Sequence, residues 1–387
     1  MKLADPILFL SGIRWDFARQ RHQHLAEGFA RRHPVLFVEM GLSPAHLGRR
    51  GGGTVAHWRN WERGIRAEGE NLRIYTAPPA LPFARRFLGI QRANLRLMYR
   101  GVGRALAALK MPRPLIWVSD PYFGAIPPGL GRRMVIFDWI HSGGEEEASR
   151  RGRVYRALIA SVRDQADLIF TPSRLVRERH GSGDGRFHYL PHGVSEEWFH
   201  SAPVPPPPDE IASLPRPVIG FSGTIGPALD AGLLGNLARL RPGWSFVLVG
   251  EKRIGVCPLA PNIYYLGPRP PRELPNHLQS FSAGIIPYRV CPETETVHPV
   301  KTYEYLAAGL PVVSTPLPEI RHLRELVGFA SSAEDFIRRL EESIAGDTPE
   351  KKAARRRFAR ESTWAKRVEE IERIIASAVR LKNFTDD

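Results

Sequence analysis

The stretch HPVKTYEYLAAGLPVVST, His298 to Thr315, puts a cation and a carboxylate three residues apart just behind a proline. Pro299 favours a helix start, so Lys301 and Glu304 project from one face of the first turns. That geometry suits a nucleoside diphosphate. Lys301 can neutralise phosphate, the helix N-terminus adds amide donors and a positive partial charge, and Glu304 can accept from both ribose hydroxyls. Ala307, Ala308 and Gly309 then let the backbone come close before a buried strand, LPVVST. The same spacing also describes a solvated Lys–Glu pair on an ordinary helix, so the elements around it must decide.

Those elements alternate. Short β-branched or aromatic runs, ILFLSG (7–12), VLFVEM (35–40), LIWVSD (115–120), MVIFD (134–138) and DLIFT (167–171), are separated by stretches of helical period at 18–32, 148–165 and 173–180. This rhythm predicts βαβ units on a parallel sheet buried on both faces. FHYLPHGVSEEWF (187–199) supplies one more strand, and SAPVPPPPDEIASLPRP (201–217) reads as a stiff linker, since its prolines neither pair in a sheet nor continue a helix. A second series comes after it: VIGFSG (218–223), a helix near 229–240, WSFVLVG (244–250), NIYYLG (262–267), a Pro-started helix, AGIIPY (283–288), the helix of Lys301 and LPVVST (310–315). The expected fold class is therefore α/β, with two Rossmann-like doubly wound domains, residues 1–200 and 218–362, and a cleft between them at the carboxyl ends of the strands. Residues 363–387 form a last amphipathic helix, with apolar residues at 364, 368, 371, 375 and 379. In such a fold Gly12, Arg14 and Asp16, on the exit loop of the first strand, face the cleft as candidate donor or acceptor contacts. No GxGxxG or GxxxxGK[ST] loop occurs, which disfavours ordinary NAD enzymes and P-loop NTPases.

Charge is unevenly spread. Of the net +15, residues 1–200 carry +13 and the remainder +2, and no acidic residue lies between Glu70 and Asp120. Within that gap Arg92, Arg96, Arg100 and Arg104 recur every fourth residue beside Leu88, Leu95, Val102, Leu106 and Leu109, a basic amphipathic helix of the kind that lies on anionic membrane surfaces. Phe83, Phe87 and Leu88 at its start would be the wedge. No apolar run approaches the ~20 residues that span a bilayer, and the start has no signal-peptide pattern. Two cysteines, Cys257 and Cys291, suggest no disulfide framework. The expected location is cytoplasmic and peripheral, on the inner face of the cell membrane.

With EYLAAGLPVVST following the PVK turn and preceded by the IIPY strand end, the sequence resembles the nucleotide-sugar donor site of GT-B glycosyltransferases, most closely glycosyltransferase family 4. The resemblance extends through VIGFSGTIG, WSFVLVG and NIYYLGPRPPRELPNHLQSF. It continues more loosely through RQRHQHLAEGFARR, ADLIFTPSRLV and PHGVSEEWF, and covers nearly the whole chain. It implies a GT-B fold whose terminal helix returns to the first domain. It also implies transfer of a hexose-type sugar from a UDP- or GDP-sugar to a glycan or lipid-linked acceptor in cell-surface polysaccharide or glycolipid synthesis. The nucleotide sugar is a co-substrate, and no other cofactor is implied. Carried over residue by residue, Glu304 holds ribose and Lys301 phosphate. Gly223, Thr224 and Gly226 form the turn beneath the pyrophosphate, Pro268 and Arg269 border the base, and His298 and Tyr305 flank the grip. His141, just after a strand, would touch the transferred sugar or act as base, with Asp138 as the competing candidate.

The chain also departs from the family pattern. Retaining members carry two glutamates with seven residues between them, and where the first should stand this chain has Thr296, with Glu293 and Glu295 off register. The family's Arg and Lys after the first strand of the second domain are missing, so Lys301, one of only eight lysines, is the clearest phosphate cation. These departures are shared with an inverting glucuronosyltransferase family, whose Asp base would match His141. Retention is weakly favoured. No Asp-x-Asp ends a strand, so no metal is expected and preorganised donors with Lys301 would stabilise the leaving diphosphate. A GT-B-shaped nucleotide-sugar epimerase is the rival enzyme. A nucleic-acid-binding protein is the rival of another class, disfavoured because aromatic residues do not interleave with the Arg run.

Overall fold

The computed structural model describes residues 5–17, 19–42, 53–140, 149–199, 206–253 and 260–385, which divide into two compact units. Unit 1 comprises residues 1–190 together with 367–387, and unit 2 residues 191–366.

Unit 1 is built on strands β1 (Ile7–Ser11), β2 (Val35–Glu39), β3 (Ile65–Ala67), β4 (Leu72–Thr76), β5 (Leu115–Val118), β6 (Met134–Asp138), β7 (Leu168–Thr171) and β8 (Phe187–Tyr189). Their order is β3-β4-β2-β1-β5-β6-β7-β8, and all neighbours are parallel except the antiparallel edge pair β3–β4. The described helices are α1 (Arg21–Ala30), α2 (Gly53–Glu62), α3 (Leu88–Ala108), α4 (Arg150–Gln165) and α5 (Arg174–Gly181). Strands β1, β2, β5, β6 and β7 are buried at every position, as unbroken apolar runs covered by helices on both faces require.

Unit 2 holds α6 (Asp209–Ala212), β9 (Val218–Ser222), α7 (Ala231–Leu240), β10 (Ser245–Val249), β11 (Ile263–Gly267), α8 (Leu274–Gln279), β12 (Ala283–Ile286), α9 (Lys301–Ala308), β13 (Val312–Ser314), β14 (Val327–Phe329), α10 (Ala333–Ala345) and α11 (Pro349–Arg360). Its sheet is wholly parallel in the order β11-β10-β9-β12-β13-β14. Helix α12 (Trp364–Thr385) begins in unit 2 and continues in unit 1. There Val368, Ile371 and Ile375 are buried, and Glu372 pairs with Arg32 at 2.7 Å.

Both expected doubly wound sheets are present, with differences at their margins. Strands β3, β4 and β14 and helices α10 and α11 go beyond the sequence reading; β3 and β14 are only three residues long, too short for a period to register. The boundary between units falls after Leu190 rather than at 200–217. Within the proline-rich stretch α6 buries Ile211 completely in the core of unit 2, so α6 is part of that unit.

Asp138 also differs from expectation. At the end of β6 its carboxylate is fully buried and bound by Arg21, the first residue of α1, through contacts of 2.8, 2.9 and 3.2 Å. Arg21 spends its remaining reach on the Leu190 carbonyl at 3.2 Å. A carboxylate so committed is closed to solvent with both oxygens already accepting from one guanidinium, an arrangement that suits a structural role. Removing one partner leaves the other charge buried and uncompensated, so Asp138→Ala should cost about 3–5 kcal/mol of unfolding free energy. Urea denaturation measures it; a loss under about 1 kcal/mol, the range of surface pairs, would show that the pair is not isolated from water.

Candidate active site

In each sheet the strand order reverses once, between β1 and β5 in unit 1 and between β9 and β12 in unit 2, and open α/β sheets bind ligands outside the carboxyl ends at such a point. The chemistry-bearing side chains gather at these two places.

At the unit 2 switch point the floor is main chain. Gly223 leaves β9 with φ +131° and Gly250 leaves β10 with φ +149°, and a β-carbon on Gly250 would lie 2.0 Å from the Gly223 oxygen. Both positions therefore require glycine. The Gly223 amide donates to the Val249 carbonyl at 2.8 Å and the Ile225 amide to the Glu251 carbonyl at 2.9 Å, so the 223–226 turn runs alongside the β10 exit. Thr224 is exposed on this turn and Gly226 buried within it.

Lys301 lies across that floor. Its ammonium sits 3.1 Å from the place a Gly223 β-carbon would take, donates to the Tyr288 hydroxyl, and lies 4.6 Å from the Phe221 ring centre and 4.5 Å from that of Tyr288. Two aromatic faces thus stabilise a lysine only 9% exposed. Glu304 follows one turn later on α9. Burial pushes its carboxyl up to about 7, against the opposing pull of Lys301. Lys301 therefore lies against the Gly223 turn with Glu304 one helical turn on, while Tyr288 and Phe221 are neighbours that β-strand patterning marks only as core.

The other expected donor residues lie in varied surroundings. Tyr305 is fully buried with its ring against Gly284, and its hydroxyl accepts from the Ser222 amide at 2.7 Å, so it braces the end of β9 from beneath and does not reach a ligand. His298 is 4% exposed, lies 3.0 Å from the Tyr303 hydroxyl through Nε2, and packs against His192. Pro268 is exposed after β11, and Arg269 beside it pairs with Glu210 at 2.6 Å, an acid that also meets His277 at 2.9 Å. Lys252, on the β10 exit, sets its ammonium 5.1 Å from the Tyr265 ring centre and is a second cation near the glycine floor. It stands two residues after Gly250, a spacing that could have flagged it.

At the unit 1 switch point Gly12 and Asp120 meet. A β-carbon on Gly12 would lie 2.0 Å from an Asp120 carboxylate oxygen, so the glycine makes room for the acid. The other oxygen accepts from the Tyr122 amide at 2.8 Å. Burial raises the Asp120 carboxyl to about 6, opposed by that amide and by Arg85. Sequence reading missed this residue, although it ends LIWVSD as Asp138 ends MVIFD. Asp16 is exposed and held by Arg66 at 3.4 Å and Asn60 at 3.3 Å, while the Arg14 carbonyl accepts from Gln23 at 3.2 Å. His141 lies outside the described residues. Among the described residues no group of acids, histidines and cysteines is arranged to hold a metal ion.

Comparison with known proteins is consistent with this geometry. Residues 231–373 match the family described as "Glycosyl transferase-like". The putative teichuronic acid biosynthesis glycosyltransferase TuaH of Bacillus subtilis is 28% identical over 274 residues, 65% of this chain and 69% of that protein. Among solved structures, Anabaena HepE in complex with UDP and glucose superposes with a TM-score of 0.63 at 16% identity, covering 96% of this chain and 99% of its own. WaaG, a glycosyltransferase involved in lipopolysaccharide biosynthesis, gives 0.61 at 14%, covering 95% and 99%. An E. coli trehalose-6-phosphate protein bound with UDP-2-fluoro glucose gives 0.66 at 11%, covering 97% and 99%.

Glu304 can accept from two hydroxyls only when ionised, yet burial keeps its proton in place until about pH 7. Affinity for a UDP-sugar should therefore rise with pH up to about 7 and level off above it. Glu304→Gln should flatten that dependence and weaken binding about tenfold. Calorimetry across this range checks both, and a pH-independent affinity in the unsubstituted protein would remove Glu304 from the ribose.

Proposed function

We infer that this chain, a glycosyltransferase with the GT-B fold, moves a hexose-type sugar from a UDP- or GDP-sugar to a membrane-associated glycan or lipid-linked acceptor in cell-surface polysaccharide synthesis. The observation that carries the reading is the buried Lys301 lying on the Gly223 turn with Glu304 one helical turn away, since a nucleoside diphosphate needs a cation for its phosphates and an acceptor for its ribose hydroxyls. The likeness to TuaH, a putative teichuronic acid biosynthesis glycosyltransferase, supports the polysaccharide class.

In this reading the ribose hydroxyls donate to Glu304, and the diphosphate replaces Tyr288 as the partner of Lys301. The leaving group's growing charge is met by an ammonium already in place, which lowers the barrier without reorganisation. Pro268 and Arg269 border the base. On the acceptor side Asp120 takes the hydroxyl's proton: a carboxyl near 6 is ionised at neutral pH and still basic enough to serve. This favours inversion over the retention expected from the sequence. His141 is the competing residue. The Arg92, Arg96, Arg100 and Arg104 side chains are all exposed along α3 while Leu95, Val102 and Leu106 are buried, which supports docking of that ridge on an anionic bilayer.

Asp120→Asn should lower kcat by about 10²–10⁴ with donor affinity unchanged. The unsubstituted enzyme should gain rate with pH through about 6. NMR of the product's anomeric configuration checks the course; retention together with full activity of the Asn variant would reassign the proton to another group. Replacing Arg92, Arg96 and Arg100 by Glu should release the protein from anionic liposomes in flotation, and undiminished retention would remove α3 from the docking surface.

A further inference from the structure

Between the first turns of α7 and α10, beside the exits of β12 and β13, unit 2 holds a cavity of about 670 Å³. Sites for small molecules run to ~300–1,000 Å³, so the space is of that class. Gly223, Lys301 and Glu304 do not line it. Its link to them is Tyr288, which stands in the cavity wall and whose hydroxyl accepts from Lys301. The walls are laced together by main-chain and hydroxyl contacts. The Asp230 amide donates to the Pro287 carbonyl at 2.8 Å, the Arg289 amide to the Ala228 carbonyl at 2.9 Å, and the Thr315 hydroxyl to the Tyr288 carbonyl at 2.7 Å. The shape of the cavity is thus set before a ligand arrives.

The lining excludes several ligands. Two helices begin here, and a bare helix N-terminus draws anions. Both are already satisfied: Asp230 Oδ1 accepts from the Leu233 amide at 2.9 Å, Ser332 Oγ accepts from the Asp335 amide at 3.1 Å, and Glu334 adds a carboxylate to the first turn of α10. The lining holds Asp230 and Glu334 but no lysine or arginine, so a phosphate or a uronate would meet only like charge. A nucleobase finds no platform, because Tyr288, the one aromatic side chain among the described lining residues, is 9% exposed. What fits is a ligand without negative charge that carries many hydroxyls and apolar C–H faces. The Asn236 amide and the Ser331 hydroxyl, both exposed, can donate and accept, and the two carboxylates can accept. Leu233 and Val290, the latter 52% exposed, offer hydrocarbon beside them. A pyranose ring presents the same two kinds of surface.

We propose that this cavity holds an uncharged sugar of a glycan chain, at a place separate from the donor nucleotide. The inference rests on the glycosyltransferase reading and adds to it a subsite in unit 2 that retains a neutral unit of the growing chain. Asn236, Ser331 and the carboxylates of Asp230 and Glu334 bind the hydroxyls, and Leu233 and Val290 lie against the ring. Only Tyr288 stands between that sugar and the ammonium proposed to hold the diphosphate.

The test titrates the full chain with three uncharged tetrasaccharides, maltotetraose, cellotetraose and chitotetraose, and with tetragalacturonate, followed by saturation-transfer NMR. At least one uncharged tetrasaccharide should bind about tenfold more tightly than the galacturonate. Asn236→Ala should weaken that binding about tenfold. Ser331→Trp, which fills the cavity from an exposed position, should abolish it, and both variants should keep the melting temperature and UDP-sugar affinity of the unsubstituted chain. Binding of none of the three, equal or tighter binding of tetragalacturonate, or an affinity unaltered in both variants would overturn the proposal. So would complete displacement by a UDP-sugar, which would put the tetrasaccharide in the donor site. UDP-sugar affinity of the unsubstituted chain reports on the glycosyltransferase reading separately, so a failure there is distinguishable from a failure at the cavity.

Discussion

A guanidinium and a carboxylate withdrawn from water hold unit 1 in register. Arg21 opens α1, where the helix dipole disfavours a cation, and it is tolerated there because Asp138 at the end of β6 neutralises it and the Leu190 carbonyl takes a further N–H. Three segments far apart in sequence are thereby tied at one point: the start of the first helix, the end of a central strand and the residue at which the chain leaves the unit. Capping of the same helix by Gln20 and Gln23, and the contact of the Gln23 amide with the Arg14 carbonyl, carry that order into the loop after β1. Gly12 in that loop can then lie against Asp120. The geometry around Asp120 depends in this way on an ion pair remote from it in sequence.

The two carboxylates proposed to act, Asp120 and Glu304, share a physical origin. Each follows or faces a strand end at the point where its sheet reverses order, and each is raised by burial and restrained by one cation, Arg85 and Lys301 respectively. Asp138 is buried more deeply, with no exposure at all, and a bidentate guanidinium consumes it. Its depth and the donors already spent on it together set it apart from Asp120 and Glu304, which keep partial exposure.

Much of the scaffold was legible because parallel sheets buried on both faces write themselves as unbroken apolar runs. Eleven strands were visible on that signal, from ILFLS at β1 to VVS at β13. Strands β3 and β14, at the outer edges, carry three residues each and no run to detect, and half-exposed β4 alternates too briefly. The pair Lys301 and Glu304 was legible from helical spacing, and Gly223 from its resemblance to a glycine turn. Tyr305, next to Glu304 in sequence, is turned about 100° round α9 from it and into the core, which spacing to Lys301 alone does not reveal. Asp120 and Asp138 could not be told apart, since both end apolar strands and only the fold reveals that Arg21 reaches one of them.

The contact of Gly223 with Gly250 has a further implication for how such a protein can diversify. Its ligand floor consists of peptide groups, and peptide groups are the same whatever side chains surround them. In the donor site proposed above, substitutions at Pro268, Arg269, Lys252 or Thr224 would change selectivity while the surface beneath stays unchanged. Heredity can thus tinker with selectivity there without renegotiating the grip, provided the two glycines themselves are left alone.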